Sequence, residues 1–514
     1  MSIVSFRCLG AKAPGWNCEV PLRELNAPLT VSISGKGTRQ LASVSVMTTS
    51  KSRTTYSITG MQSAKADLAI QAGGFNPQAP VDNQQPPTNA QTPNAQCPSS
   101  SPSDVIIVGG GPAGAAMAIG LACEGVEVTL LDRARFPRDK ACGEFLTPQA
   151  ARLLRQLGVW ETLLQRGLRP VAATLLCAPD GRQVRHTPLD GNPAGYTIRR
   201  IVLDEVLLQS ARRCGVQVRE GFAVRSLVRD DAGRVVGVVG DEHQELRARL
   251  VVGADGSHSL VARQLELTRS IPRLQRLAVV AHWRGIDMKY ADAIEMRASG
   301  PLVCGLGFPG ADSDQHKDQY NRDSENYVCA NTTFVLPNRM ASRLAGRKAD
   351  WIDETLQTCF PDLAERLAGA TREAEIRTIG CFGHRSHAVV ADGALLIGDA
   401  ATFIDPFTGE GVYFSLRGAQ LATEVAVEAL RRNDTSRHGL RHYASTRQEL
   451  NRRYLLVDMV QSVVRTPSLF NEMVRRLERF PGATDRLLNI LGDTRPATDV
   501  LHPGLLWRLF APCV

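Results

Sequence analysis

Apolar residues fall along this chain in two rhythms, short unbroken runs bounded by glycine or polar residues and longer stretches recurring every three to four positions; their alternation predicts an α/β protein. Asp104 to Val108 (DVIIV) reads as a buried strand, Pro112 to about Glu124 as a helix, and Val126 to Leu131 as a second strand ending at Asp132. Leu203 to Arg213 predicts a helix stopped by Gly215, and Val216 to Val239 predicts strands with a hairpin turn at Asp230-Asp231-Ala232-Gly233. From about Ile271 to Ile376 the pattern becomes β runs, such as Leu277 to Trp283 and Tyr327 to Val335, broken by a polar loop at Asp312 to Glu325. Leu395 to Ile397 is another apolar strand, and Val412, Leu416, Ala419 and Leu421 mark the buried face of a helix after it. From Arg431 onward the chain looks helical.

Those rhythms divide the chain into a Rossmann-type domain (104–270 and 377–430), an inserted mixed-sheet substrate domain (271–376) and a helical C-terminal region (431–514). Ahead of them, Gly73 to Ser103 is dominated by Pro, Gln, Asn and Ser, too polar to offset the entropy of ordering, so residues 1–103 read as a disordered leader. An organelle transit peptide, or a translation start at Met47 or Met61, are alternatives.

Composition fits a globular protein, with 43% hydrophobic and 22% charged residues in 514 residues, enough to bury the cores of two or three domains. No run of about 18 apolar residues predicts a membrane span, and no apolar segment of a secretory signal opens the chain. The 12 cysteines show neither CxxC nor metal-ligand spacing, and Cys123, Cys177 and Cys329 lie in apolar segments; they read as reduced thiols of a cytoplasmic protein without a metal site. Residues 431–514 hold 14 Arg and no Lys against 8 acids, and so most of the net charge of +8. The arginines are dispersed at helical spacing among Leu and Val, which argues for solvated helix faces and against nucleic acid. Leu505 to Phe510 combines apolar bulk with Arg508; core packing is the expectation, peripheral contact with a membrane surface the alternative.

The first strand runs into Gly109-Gly110-Gly111-Pro112-Ala113-Gly114. Gly109 permits the tight turn, Gly111 lets the backbone approach a pyrophosphate, and Gly114 lets the helix pack on the sheet, with Ala113 among the N-terminal residues that face the phosphates. Asp132, beside Arg133, can accept hydrogen bonds from ribose hydroxyls while repelling a 2′-phosphate, so FAD or NAD fits better than NADP. Far along the chain, Gly398-Asp399 sits at the carboxyl end of a predicted strand, and Gly409-Glu410-Gly411 opens a helix whose positive end can face a flavin pyrimidine ring.

The segment 398–416, GDAATFIDPFTGEGVYFSL, resembles the geranylgeranyl-reductase-like branch of the FAD-dependent hydroxylase superfamily, which includes aromatic hydroxylases, flavin halogenases and ubiquinone hydroxylases. The resemblance runs from about Asp104 to about Leu430 and implies FAD as the cofactor. It also implies that Phe136 to Glu144 (FPRDKACGE) passes beside the isoalloxazine, that Arg200, Leu203 and Asp204 match an RxxLD element, and that Asp255-Gly256 match a second FAD motif. By the same likeness Asp399 contacts the ribityl chain, while Pro406, Gly409 and Gly411 form the flavin-facing helix start. Without a ligand, Asp204 would serve as a helix cap and Asp255-Gly256 as a turn.

Departures from the branch steer the functional expectation. The aromatic YxWxFP element is here Cys304 to Pro309 (CGLGFP), and the cysteine loop reads CGEF instead of CGGG. Trp16, Trp160, Trp283, Trp351 and Trp507 form no halogenase WxWxIP element, and Thr402 stands where hydroxylases usually have histidine. The reading is an FAD-dependent oxidoreductase acting on a hydrophobic small molecule, a monooxygenase before a C=C reductase, with a non-catalytic electron-transfer flavoprotein as the rival from another class. NADPH or NADH binds transiently as reductant, or an external electron donor replaces it, since only one dinucleotide fold is visible. Candidate catalytic residues are Cys142 in the loop and the imidazoles of His384 and His387.

Overall fold

The computed structural model describes residues 103–510 apart from 288–290, 311–326, 381 and 407, together with the backbone of six short strands between Trp16 and Gln71. Those six strands form two three-stranded antiparallel sheets, a difference from the leader without structure expected there; their β-branched and hydroxyl residues, as in Thr30–Gly35 and Val44–Thr49, are the ones that favour extended backbone. The Pro- and Gln-rich stretch that follows them, and the polar loop at 312–325, lie outside the described residues.

The second compact unit, Ser99–Val514, begins with a parallel sheet. Strand β1 (Ser103–Val108) leads into α1 (Pro112–Cys123), and β2 (Val128–Asp132) returns beside β1. Val105, Ile106 and Ile107 are almost completely buried because helices cover both faces, so the strand reads as an unbroken apolar run rather than an alternating one. After α2 (Pro148–Gln156), β3 (Ala173–Cys177) and β4 (Gln183–His186), helix α3 (Arg200–Arg213) feeds β5 (Gln217–Glu220), parallel to β2. The hairpin β6 (Ser226–Arg229) and β7 (Val235–Val239) turns at Gly233, where φ is +79° and the Asp230 carboxylate accepts from the Ala232 and Arg234 amides. Strand β8 (Glu245–Gly253) pairs antiparallel with β7 through its first half and parallel with β1 through its second.

The substrate sheet contains β9 (Arg276–Asp287), β10 (Ala293–Ser299), β11 (Leu302–Gly307) and β12 (Tyr327–Pro337), in the order β4-β3-β10-β11-β12-β9. The hairpin β3-β4 thus belongs to this sheet, although the sequence placed it in the cofactor domain. Its buried positions alternate along β4, a pattern of four residues too short to reveal its partner. One face of the sheet packs on α4 (Lys348–Cys359) and α5 (Pro361–Leu367), through Val279, Ala281, Trp283, Cys304, Leu306, Phe334 and Trp351.

The chain returns to the parallel sheet with β13 (Ala394–Leu396), alongside β8, and then α6 (Gly411–Arg431), which crosses α1 where Gly120 abuts Thr423. Helices α7 (Gln448–Val464), α8 (Pro467–Arg479), α9 (Pro481–Leu491) and α10 (Pro503–Phe510) follow. They cover the other face of the substrate sheet, joining Ala278, Met296, Ala298, Val303 and Val335 to Leu456, Phe470, Val474 and Leu487 in one core. Leu505 is buried in that core, whereas Trp507 is 66% exposed. No helix among the described residues is long and apolar enough to cross a membrane.

Candidate FAD site

Three remote segments meet at the carboxyl ends of β1, β8 and β13, and they meet through glycines. Gly109 has φ +108°, and a Cβ there would fall 2.4 Å from the Ala254 carbonyl oxygen of the second segment. A Cβ on Gly114 would fall 1.9 Å from the Gly109 oxygen, and one on Gly398, at φ +57°, 2.8 Å from Ala113 Cβ. The third segment is thereby pressed against the helix start that the first one makes. No side chain caps α1 at Gly111, so its N-terminal end is left to an anion.

Cations face that end. The guanidinium groups of Arg138 and Arg200 lie 3.7 Å from where a Gly111 Cβ would be. Both are fixed by Asp204, which is completely buried: Arg200 Nε donates to Oδ1 at 2.5 Å and Arg138 Nη1 lies 3.2 Å from Oδ2. Asp204 sits one turn inside α3, so its role is to hold the two arginines, not to cap the helix. Lys140 joins them, its Nζ 3.5 Å from where a Gly256 Cβ would be; burial first, then the Arg200 charge, lowers its pKa, while Asp399 works the other way. Sequence reasoning gave Arg138 and Lys140 no role of their own, though both stand in the FPRDKACGE loop it singled out.

The carboxylates have distinct duties. Asp132 Oδ2 accepts from the Gly110 amide and Oδ1 from the Ala134 amide, each at 2.8 Å, which anchors the turn at the end of β2; neighbouring Arg133 is exposed. Asp255 Oδ2 accepts from the Leu260 and Val261 amides at 2.7 and 3.3 Å, whereas its buried Oδ1 has no hydrogen-bond partner among the described residues. Burial raises the pKa of this acid. Asp399 is half-buried in the turn after β13, and its backbone oxygen accepts from His384 Nε2 at 2.7 Å. Desolvation lowers the His384 pKa, which keeps the ring neutral. His387 is exposed, and the structure does not bring it to the other candidates.

The loop carrying Cys142 is locked to the substrate sheet by one residue, Glu144. Its φ is +56°, a left-handed conformation that glycine adopts freely and that the CGGG pattern would supply. Here the side chain compensates: Oε1 accepts from the Arg200 amide at 2.9 Å, and Oε2 takes His282 Nε2 at 2.9 Å and Asn331 Nδ2 at 3.0 Å. Burial pushes the Glu144 pKa up, but the His282 charge, its hydrogen bond and Arg199 bring it below the ordinary value. Asn331 Nδ2 also donates to the Cys142 carbonyl oxygen at 2.9 Å. The Cys142 thiol is half-buried, and desolvation raises its pKa, so it is held as a thiol rather than a thiolate. Phe145 then reaches the third segment: a Cβ on Gly409, φ +74°, would fall 2.6 Å from its ring.

The helix start beyond Gly409 is open, with no atom within 4 Å of a Gly411 Cβ, and Pro406, half-buried, turns the chain into it by accepting from the Gly409 amide at 3.1 Å. Beside it, Asp405 pairs with the buried Arg276 of β9 at 3.0 Å, and Gln461 of α7 bonds both. Glycine cradles, a free helix N-terminus, three facing cations and an orphaned carboxylate oxygen together fit FAD, whose pyrophosphate Gly111, Ala113 and Gly114 would hold.

Comparison with known proteins agrees. The family described as FAD binding domain matches residues 102–455. A digeranylgeranylglycerophospholipid reductase of Methanopyrus kandleri is 30% identical over 359 residues, covering 67% of this chain and 86% of that protein. A 6-methylpretetramide 4-monooxygenase of Streptomyces rimosus is 28% identical over 376 residues, covering 70% and 83%. The solved structure of a flavin-dependent brominase superposes with a TM-score of 0.65 at 21% identity, over 76% of this chain and 94% of that one, a likeness of fold.

Proposed function

Because the chain belongs to the FAD binding domain family, one of FAD-dependent oxidoreductases, we propose that it is a monooxygenase that hydroxylates a flat apolar molecule. The observation that carries this reading is the floor of the substrate sheet under the cysteine loop. On β11, a Cβ on Gly307 would fall 3.5 Å from the Gly143 carbonyl oxygen of that loop and 3.1 Å from Ile294, whereas a Cβ on Gly305 would meet nothing nearer than Thr333, 4.0 Å away. Gly305 is half-buried, so the sheet leaves a slot free of side chains there, next to Thr333, whose hydroxyl would lie 3.9 Å from a Cβ on Gly143 of the cysteine loop. A planar ring suits such a slot better than a branched or charged molecule does.

Arg138, Arg200, Lys140 and the α1 N-terminus would hold the cofactor's pyrophosphate, and Asp255 and Asp399 would offer acceptors for its hydroxyl groups. The positive end of α6 stabilises negative charge on whatever ring system lies against Gly411. Glu144 and its partners keep the Cys142 loop at one distance from the sheet, and helices α7 to α9 exclude water from the apolar face. FAD, when bound, supplies the two-electron chemistry, reduced by transient NADPH or NADH or by an external donor. Oxygen uptake by the purified holoprotein, dependent on one apolar aromatic compound and incorporating labelled oxygen into it, is the expected result; turnover with no oxygen consumed would overturn it.

A second reading, reduction of a C=C bond in an isoprenoid chain, has an observation of its own. Cys304, Leu306 and Phe308, which stand where the reductase pattern has aromatics, lie in the core against α4 and α5, on the sheet face away from the cysteine loop. Their identity therefore leaves the cofactor side unchanged and no longer counts against reduction, and the relative at 30% identity is a reductase of an isoprenoid lipid. Anaerobic consumption of reductant with a saturated product distinguishes this outcome.

A further inference from the structure

A groove of about 590 Å³ runs along α6, walled by α2, α6, α7 and the turn after α9, with its buried Arg453 3.7 Å from Glu410 at the start of α6. Five arginines converge on it from four separate elements: Arg152, Arg417, Arg452, Arg453 and Arg495. Its acids are two, Glu449 and Asp493, and each is engaged, Glu449 with Arg417 at 3.5 Å and Asp493 with Arg453 at 2.6 Å. Arg152 and Arg452 are exposed into the groove and have no ion-pair partner among the described residues. Exposed arginines nearby are paired instead: Arg431 with Glu124, Arg432 with Glu428 and Arg476 with Glu472. Arg495 pairs with Asp499 at 3.6 Å, so Arg152 and Arg452 are the two guanidinium groups of the groove left to an outside anion, set in a concavity that three paired arginines also line.

The floor is ordered. Arg453 is 3% exposed, donates to the Ile490 and Arg495 carbonyl oxygens at 3.1 and 2.8 Å, and lies over the Tyr413 ring at 5.5 Å. Tyr413, Arg417 and Gln420 recur along one face of α6, so tyrosine and amide groups alternate with the cations. Guanidinium forks that converge from several walls match the tetrahedral, multiply charged oxygens of phosphate rather than a single carboxylate.

We infer that this groove is a binding site for a phosphate-bearing small molecule of about nucleotide size, separate from the cofactor crevice. The test uses the full-length, FAD-loaded protein, titrated calorimetrically with inorganic pyrophosphate, ADP and, as a carboxylate control, citrate. Saturable one-to-one binding of pyrophosphate or ADP, weakening as salt rises, is expected. Equal affinity for both would identify a site for phosphate alone, and tighter ADP binding one for a nucleotide. Replacing Arg152→Gln and Arg452→Gln together should weaken binding about tenfold or more while flavin content and Tm stay unchanged, whereas Arg431→Gln with Arg432→Gln should leave it as it was. Absence of saturable binding, citrate bound as tightly as ADP, or equal losses in the two double variants would each overturn the inference.

Discussion

Gly109, Gly114 and Gly398 bring three segments together across the cofactor crevice with no side chain between them, whereas the substrate sheet is held to the same crevice by Glu144, His282, Asn331, Arg276 and Asp405, all buried and all polar. The first region is specified by bare backbone and fails when an atom is added. The second is specified by reciprocal hydrogen bonds and fails when a partner is removed. Two sides of one site therefore obey opposite rules of substitution.

Arg276 tests the second rule most severely. Its guanidinium is 2% exposed and bonds Asp405, Gln461 and the Val335 carbonyl oxygen. Arg276→Met should cost about 3–5 kcal/mol by denaturant unfolding, because Asp405 loses its cation in a buried place. Adding Asp405→Leu should restore most of the loss; a double variant as unstable as the single one would mean that packing, not charge pairing, governs this contact.

The first rule predicts that Gly114→Ala, a single methyl 1.9 Å from the Gly109 oxygen, destabilises by roughly 1–3 kcal/mol and yields protein purified without flavin colour. Gly411→Ala, with open space around it, should stay yellow. A yellow G114A would break the comparison at its firmest point.

A smaller effect is expected from the network under the turn that opens α6. Glu410 and Asp493 are both buried beside Arg453, and desolvation leads the causes that raise both pKa values, Asp493 to about 6. The fold thus binds a proton more tightly than the unfolded chain, whose aspartates titrate near pH 4. The stabilisation from Asp493 is complete below about pH 4 and is lost as pH rises through about 6. In Asp493→Asn the Tm should be nearly flat over that window; an unchanged slope would place the proton elsewhere.

How far each region was legible follows from the same contrast. β1, the glycines, α1 and Asp132 lie within one contiguous stretch, so period and spacing gave their elements to within two residues. Glycine also announces itself, since few other reasons put Gly109, Gly398 and Gly409 at positive φ. Glu144 and His282 carry no such mark. They are 138 residues apart, each is an ordinary polar residue in its own segment, and only the pairing of β9 with β12 beneath the cysteine loop makes them neighbours. The β3-β4 hairpin was misplaced for a related reason, because its partner β10 lies more than a hundred residues on and strand pairing at that distance leaves no local period.

The two histidines of Gly383-His384-Arg385-Ser386-His387 give the mildest test and the sharpest separation of what sequence and structure each supply. Three residues apart, they are indistinguishable by composition or period. His384 is 8% exposed and donates through Nε2 to the Asp399 carbonyl oxygen at 2.7 Å, so it fixes the turn that presents the Asp399 carboxylate. His387 is exposed, and its backbone amide donates to the Leu267 carbonyl oxygen at 2.9 Å. His384→Ala should cost about 1 kcal/mol and weaken FAD severalfold by fluorescence titration, the loss of one buried hydrogen bond. His387→Ala should stay within about 0.5 kcal/mol of the parent in stability and match it in FAD affinity. Equal losses in the two variants would mean that the whole strand, rather than the single bond to Asp399, orders the turn.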